Sequence, residues 1–381
     1  MGAKVLAIHP IASYHAAVRP MTPPPFAKSL QLGRLCAICG GLGLLLAVSL
    51  LASALLGPGG TDLASLFPLD PAQNPEAATF LLVRLPRSIL AALVGMALAA
   101  VGVAFQSLLR NPLADPFIMG VSGGAALGGS LAMVFAGSLG PLAALGVQAP
   151  AAFVGALLAT ALVYRLGRVG GRIDATTILL VGVVFNAFAS AVIMFVKSVV
   201  SATKTQEILF WLMGSLGYRD YASLLGLGLL IFVGLMVLMR STGAMNAMAL
   251  GDRGAANLGV EVEACKRRVF VAASLLTGLA VSVSGLIGFV GLIVPHLMRL
   301  ILGPDHRLLL PASALAGGVF LVLADLGARL LFVALDTEPP VGVVTAFLGG
   351  PFFLGCCAEG IRWPSGAEPL VQSRRWRLST W

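Results

Sequence analysis

Residues 83–132 read VRLPRSILAALVGMALAAVGVAFQSLLRNPLADPFIMGVSGGAALGGSLA. Between Arg87 and Leu108 no residue is charged, and the run has the roughly 20 residues that a bilayer-spanning helix needs. Arg110-Asn111-Pro112-Leu113-Ala114-Asp115-Pro116 then breaks it. Two prolines in seven residues form a turn that has to leave the bilayer core. A second apolar run follows from Ile118 to Ala136. Irregular backbone cannot face lipid, and the alternation of a barrel strand is absent. An all-α bundle of membrane-spanning helices is the expectation.

The same pattern extends in both directions. Apolar runs are expected to span at 35–56, 87–108, 118–136, 146–166, 176–196, 221–239, 269–287, 292–302, 308–331 and 344–357, about ten in all. A short surface helix is expected near Leu63–Phe67, a polar connection at Lys197–Glu207 and an interfacial piece at Phe210–Gly217. The chain has 381 residues, 58% of them hydrophobic and 11% charged, and a mean hydropathy of +0.96. Soluble domains are not that apolar. Residues 1–33, with Pro23-Pro24-Pro25, read as a cytoplasmic tail, and Met21 is an alternative start. Residues 34–362 read as one transmembrane domain and 363–381 as a second cytoplasmic tail.

The formal net charge is +9. In a chain of this kind the excess marks cytoplasmic loops rather than a nucleic-acid surface. With an inside N-terminus, all of the 25 Lys and Arg fall inside except Arg84, Arg87, Lys197, Lys204, Arg219 and Arg329. Both termini are therefore expected in the cytoplasm, and the outer arginines stand out. Cys36 and Cys39 lie inside an apolar run and read as packing residues. His296 and His306 have no second ligand at metal spacing, so no metal site is expected. Glycines 124, 128, 129, 285, 288 and 291 read as places where helices approach closely.

The polar stretch 241–268 lies between the sixth and seventh spans. It contains ALGDRGAANLGV at 249–260 and reads as one or two short helices broken at Gly251, Gly254 and Gly259. It is either a docking surface for a soluble partner or a plain basic loop. Asp325 lies four residues before Arg329; an i,i+4 pair near the membrane surface is favoured over a proton-carrying acid. Asp174 or Thr176 suits a helix cap, and Asn111 suits a turn.

The quoted stretch closely resembles the FecCD family of ABC-transporter permeases, the type II importers of iron chelates, haem and vitamin B12. Further matching motifs are FWLMGSL at 210–216, LGDRGAANLGV at 250–260 and SGLIGFVGLIVPHLMRLILGPDHRLLLP at 284–311. ADLGAR at 324–329 and PPVGVVTAFLGGPFF at 339–353 complete a match from about residue 35 to 360.

The resemblance implies a ten-helix inner-membrane permease that pairs with a second copy of itself. It also implies two cytoplasmic ATPase subunits and a periplasmic binding protein. The implied cargo is an iron-containing chelate, haem or a ferric siderophore, with vitamin B12 as the runner-up. An ion-coupled secondary transporter is the alternative from another class. No Gly-Lys-Ser/Thr is present, so the chain has no Walker A loop. It is not expected to be an enzyme or to bind a cofactor; ATP and Mg belong to the partner. Leu250, Gly251, Asp252, Arg253, Gly254, Leu258 and Gly259 match the coupling motif that fits a cleft on the ATPase. Arg84, Arg87 and Arg329 match arginines that meet glutamates of the binding protein, against the simpler reading that they snorkel to lipid headgroups. Asn111, Leu113, Thr176 and Thr177 match positions lining the cytoplasmic gates.

Overall fold

The computed structural model describes residues 32–57, 65–135 and 146–358. The expected tails, 1–31 of the first and all of 363–381, lie outside the described residues; Leu32 and Gly33 already belong to a helix. Thirteen α-helices are present there: α1 Leu32–Leu55, α2 Pro75–Ala78, α3 Leu85–Leu109, α4 Val121–Phe135, α5 Gln148–Leu166, α6 Ala175–Val199, α7 Ala202–Leu212, α8 Tyr221–Met248, α9 Asp252–Asn257, α10 Val262–Ser284, α11 Val290–Leu302, α12 His306–Leu335 and α13 Val341–Ala358. A π-helical turn, Thr79–Arg84, feeds α3. A hairpin of β1 Arg168–Val169 and β2 Arg172–Ile173 joins α5 to α6. Its two-residue turn has Gly170 at φ 58° and Gly171 at φ 81°, as a type I′ turn requires.

Seven of these helices are long and apolar enough to cross a membrane: α1, the α2–α3 unit, α5, α6, α8, α10 and α12. The shorter α4, α11 and α13 complete the ten expected spans. α4 is short because the Asn111 turn continues to Gly120, which has φ 81°. α11 has 13 residues, because residues 285–289 cross part of the depth as irregular backbone. Such backbone survives at membrane depth only when protein buries it. Here three motifs bury one another. Ser215 N–H donates to Ser284 O at 2.9 Å and Gly342 N–H to Gly214 O at 3.2 Å. A Cβ on Gly285 would lie 2.1 Å from Trp211 O, and one on Gly342 2.1 Å from Met213 O.

α3 is the centre of the bundle. It packs against α1, α8, α10, α11 and α12 and is buried along nearly its whole length. A second group, α4 to α7, joins it mainly through α10. The approaches are backbone to backbone: a Cβ on Gly102 would sit 1.9 Å from Gly291 O, and one on Gly95 2.2 Å from Gly317 O. Gly124, Gly128 and Gly129 behave likewise against α5 and Trp211, whereas Gly288 faces open space.

The polar stretches hold more helix than expected. α8 runs on to Met248 and α10 starts at Val262, so the loop proper shrinks to residues 249–261. The segment from Arg240 to Met248 has no Pro and is rich in Ala and Met, which favour helix. Asn246 is also pinned, its amide donating to Asp305 Oδ1 at 2.7 Å and its Oδ1 meeting His306 Nδ1 at 2.7 Å. Lys197–Glu207 is mostly helix too, since Ser201 caps α7 and Lys204 pairs with Glu207 at 2.7 Å. Of the expected surface helix near Leu63–Phe67, residues 63 and 64 lie outside the described residues and 65–67 are not helical.

Gly102→Ala should lower unfolding stability by about 1–3 kcal/mol through overpacking, while Gly288→Ala should leave it unchanged. Thermal melting in one detergent compares the two; equal midpoints would contradict the packing described.

Candidate functional site

The loop after α8 is built around Gly251. Its φ of 97° starts α9, a conformation that strains any other residue. Ala255 is fully buried and anchors α9 on the bundle. Leu250 and Leu258 are 54% and 64% exposed, and Arg253 and Gly259 are also exposed. Gly259 has φ 80°. Gly254 approaches Leu250, a Cβ there standing 3.2 Å from that of Leu250. The loop thus presents Arg253 on α9, and Leu250 and Leu258 at its two ends, outward.

Asp252 does not point to solvent alone. One carboxylate oxygen pairs with Arg110, the residue that ends α3, and the other with Lys266 Nζ at 2.7 Å. Arg110 Nε also donates to Met248 O at 3.1 Å. Lys266 lies 3.8 Å from Glu263, and Glu263 Oε2 accepts the N–H of Ile173 at 2.9 Å. A polar thread therefore runs from the α3–α4 turn, through α9 and the first turn of α10, to the hairpin before α6. Partial burial pushes the Asp252 carboxyl up, but the Lys266 and Arg110 cations outweigh it and hold it below the usual carboxylate value.

Both candidate gate turns sit at the ends of this thread. Asn111 Oδ1 accepts the N–H of Leu113 at 2.9 Å, and Leu113 is 45% exposed. Asp174 caps α6, accepting from Thr177 N–H at 2.8 Å and Thr177 Oγ1 at 2.7 Å; those two bonds hold its pKa low. Thr176 lies inside the helix, after the cap, and is exposed. Of the two cap candidates, the structure selects Asp174. Asp115 is nearly buried in the first turn, and burial pushes its carboxyl up to about 6 against the Phe117 N–H bond at 2.7 Å.

At the other end of α3 the arginines gather round Asp325, whose side chain is fully buried. Arg87 grips it with Nη2 at 2.7 Å and Nε at 3.0 Å, and also pairs with the half-exposed Glu338. Arg329 Nε lies 3.1 Å from the second oxygen of Asp325, the i,i+4 pair expected from spacing. Arg329 Nη2 also donates to Ser53 O at 2.9 Å. Arg84 Nη1 donates to Leu55 O at 3.3 Å. Arg329 is only 5% exposed, so it lies beneath the surface expected of a docking residue, because α1 closes over it. Arg87 keeps 20% of its side chain exposed. Asp325 serves two cations and is not a lone membrane acid.

No group of three His, Cys, Asp or Glu able to hold a metal exists among the described residues. His306 has a structural role, its N–H and Nδ1 both meeting Asn246 Oδ1. Sequence reading missed this clasp. It also missed the partly buried pair of Arg299 Nη2 with Gln106 Oε1 at 2.9 Å and Lys266, the hinge of the thread. An apolar helix carrying one buried Gln was the only signal for the second.

The described residues thus form a bundle of seven long and three shorter apolar helices, with a short helical loop at one end. The chain belongs to the FecCD transport family, whose model matches residues 44–358. It is 45% identical over 282 residues to the cobalamin import system permease protein of Halobacterium salinarum, covering 74% of each chain. The hemin transport system permease protein of Yersinia pestis is 42% identical over 71% of this chain and 80% of that one. A probable iron chelatin transport system permease protein of Helicobacter pylori is 39% identical with the same coverage. A solved structure assigned to the metal-chelate type of ABC transporter, in an inward-facing conformation, superposes with a TM-score of 0.73. It is 29% identical and covers 85% of this chain and 99% of its own.

Because the Asp252 pKa is depressed, its contribution is present above the ordinary 3.8 and is lost as pH falls through the lower folded value. Hydrogen exchange at residues 251–258 should stay protected to below that pH and then rise. In Asp252→Asn the protection should be weaker and flat with pH; an unchanged acid profile would contradict the pairing.

Proposed function

We propose that this chain is the homodimeric permease of a type II importer that carries a large metal chelate inward by alternating access. The cargo class is an iron-containing chelate, haem or a ferric siderophore. Cobalamin is the second reading, favoured by the 45% identity to a cobalamin permease. The observation that carries the mechanism is the thread from Asp252 to Arg110 and, through Lys266 and Glu263, to Ile173.

In this reading the chain has its N- and C-termini in the cytoplasm of an inner-membrane complex. A separate ATPase, using ATP and Mg, seats the exposed Leu250, Arg253 and Leu258. Gly251, Gly254 and Gly259 set the shape of that knob. When the ATPase moves α9, the Asp252 carboxylate pulls on Arg110 and thereby on the Asn111–Leu113 turn. Lys266 and Glu263 carry the same displacement to the hairpin and to Thr176 and Thr177. The exposed apolar side of α6, with Leu180, Val184, Phe188 and Phe195, suits contact with a second copy across the pathway. The tails, 1–33 and 363–381, flank the single transmembrane domain 34–362.

At the opposite end, Arg87 and Arg84 are the groups suited to a binding protein's carboxylates. Arg329 acts behind them, holding Asp325 so that Asp325 aims the Arg87 fork. An ion-coupled carrier fits less well, since Asp325 is already neutralised by two arginines and has no exposed face.

Rim charges act mainly on association rate and salt sensitivity. Arg87→Glu in nanodiscs should slow capture of the cargo-loaded binding protein and flatten its salt dependence. Glu338→Gln, which frees one side of the Arg87 fork, should speed capture. Wild-type rates for both across a salt series would remove the docking assignment.

A further inference from the structure

A groove of about 680 Å³ runs along the open face of α10, between α8 and α5. On α10 its lining follows one helical stripe, Arg268, Val271, Leu275 and Leu279, spaced by three and four residues. α8 contributes Val233 and Val237, and Phe153 closes the α5 side. Gly234 sets the floor, since a Cβ there would lie 2.6 Å from Leu276. The only charged lining residues are Arg267 and Arg268. Both are exposed and sit at the end nearest the α9 loop. Neither guanidinium is paired with a carboxylate among the described residues; the neighbouring Glu263 is engaged by Ile173 and Lys266.

The dimensions identify the occupant. Arg268 to Leu279 is eleven residues of helix, about 17 Å, and one leaflet of a bilayer core is about 15 Å deep. The groove is one leaflet long, apolar throughout, and ends in two cations at the surface. A soluble anion has no use for the apolar wall. A neutral lipid has no use for two unpaired guanidinium groups. Basic pockets between membrane helices on the cytoplasmic side suit anionic headgroups, and the guanidinium fork matches phosphate oxygens.

We propose that the α10 groove binds one anionic phospholipid of the cytoplasmic leaflet, its phosphate held by Arg267 and Arg268 and an acyl chain laid along Val271, Leu275 and Leu279. This rests on the reading that the α9 loop is cytoplasmic. The position has a consequence for coupling. Arg267 and Arg268 directly follow Lys266, whose ammonium holds Asp252. A bound phosphate therefore fixes the turn of α10 through which the polar thread passes, making the coupling loop sensitive to lipid charge.

The test uses the full chain alone, from nanodiscs of equal phosphatidylglycerol and phosphatidylcholine, extracted gently and weighed by native mass spectrometry. Wild type should retain phosphatidylglycerol in preference to phosphatidylcholine. Arg267→Gln with Arg268→Gln should bind it roughly thirtyfold more weakly, given the usual value of a basic residue at an anionic surface. Val271→Trp, which fills the groove and leaves both arginines, should lose it as well. Excess inorganic phosphate should not displace it. Equal retention by the arginine variant overturns the proposal, as does equal retention of both lipids. Displacement by phosphate, or loss in the arginine variant with full retention in Val271→Trp, makes this a free-anion site. A changed number of chains per particle in either variant makes the groove a contact between copies. The readout needs no cargo, ATPase or binding protein, so it stands or falls apart from the importer reading.

Discussion

α3 is surrounded by other helices, and that constraint organises the molecule. Lipid supplies no hydrophobic drive to bring helices together, so a central helix is held by close backbone contact. Gly95 against Gly317 and Gly102 against Gly291 provide it, at separations that leave no room for a side chain. The result is a rigid rod of 25 residues, about 38 Å long. Its two ends carry Arg87 and Arg110. Whatever meets one end of the permease is therefore positioned relative to whatever meets the other.

Each end repeats one electrostatic arrangement, a single carboxylate shared by two cations from different elements. Asp325 lies between Arg87 and Arg329, and Asp252 between Arg110 and Lys266. Their burial separates their roles. Asp325 has no exposed surface, and a buried acid stripped of a partner leaves an uncompensated charge, so that cluster is a fixed joint. Asp252 is about half exposed, and pairs of that kind are individually weak and readily remade. The Asp252 cluster is thus suited to transmit movement, and the Asp325 cluster to resist it.

Much of this was legible in the sequence, for a physical reason. A bilayer imposes length and apolarity on each span, and all ten apolar helices fall close to the expected runs. α8 and α10 are the largest departures, because helix propensity continues past the membrane edge until Gly251 and Glu261 stop it. The Asp325–Arg329 pair followed from i,i+4 spacing alone. The burial of Arg329 did not, because it depends on Ser53, 276 residues away in the chain. For the same reason the Arg110–Asp252 bond, across 142 residues, left no trace in periodicity or composition. The Gly214, Gly285 and Gly342 interlock was visible only as three separate motifs.

The central claim is that displacement at α9 reaches the α3–α4 turn through the Asp252–Arg110 bond. The most direct test is the distance between spin labels at position 113 of the two copies in the assembled transporter, with and without nucleotide. Arg110→Gln cuts the thread at α3 and keeps the Asp252–Lys266 pair, so ATPase binding should persist. The account predicts two nucleotide-dependent distances in the parent and one in Arg110→Gln. Full switching in Arg110→Gln, with the ATPase bound, would contradict it.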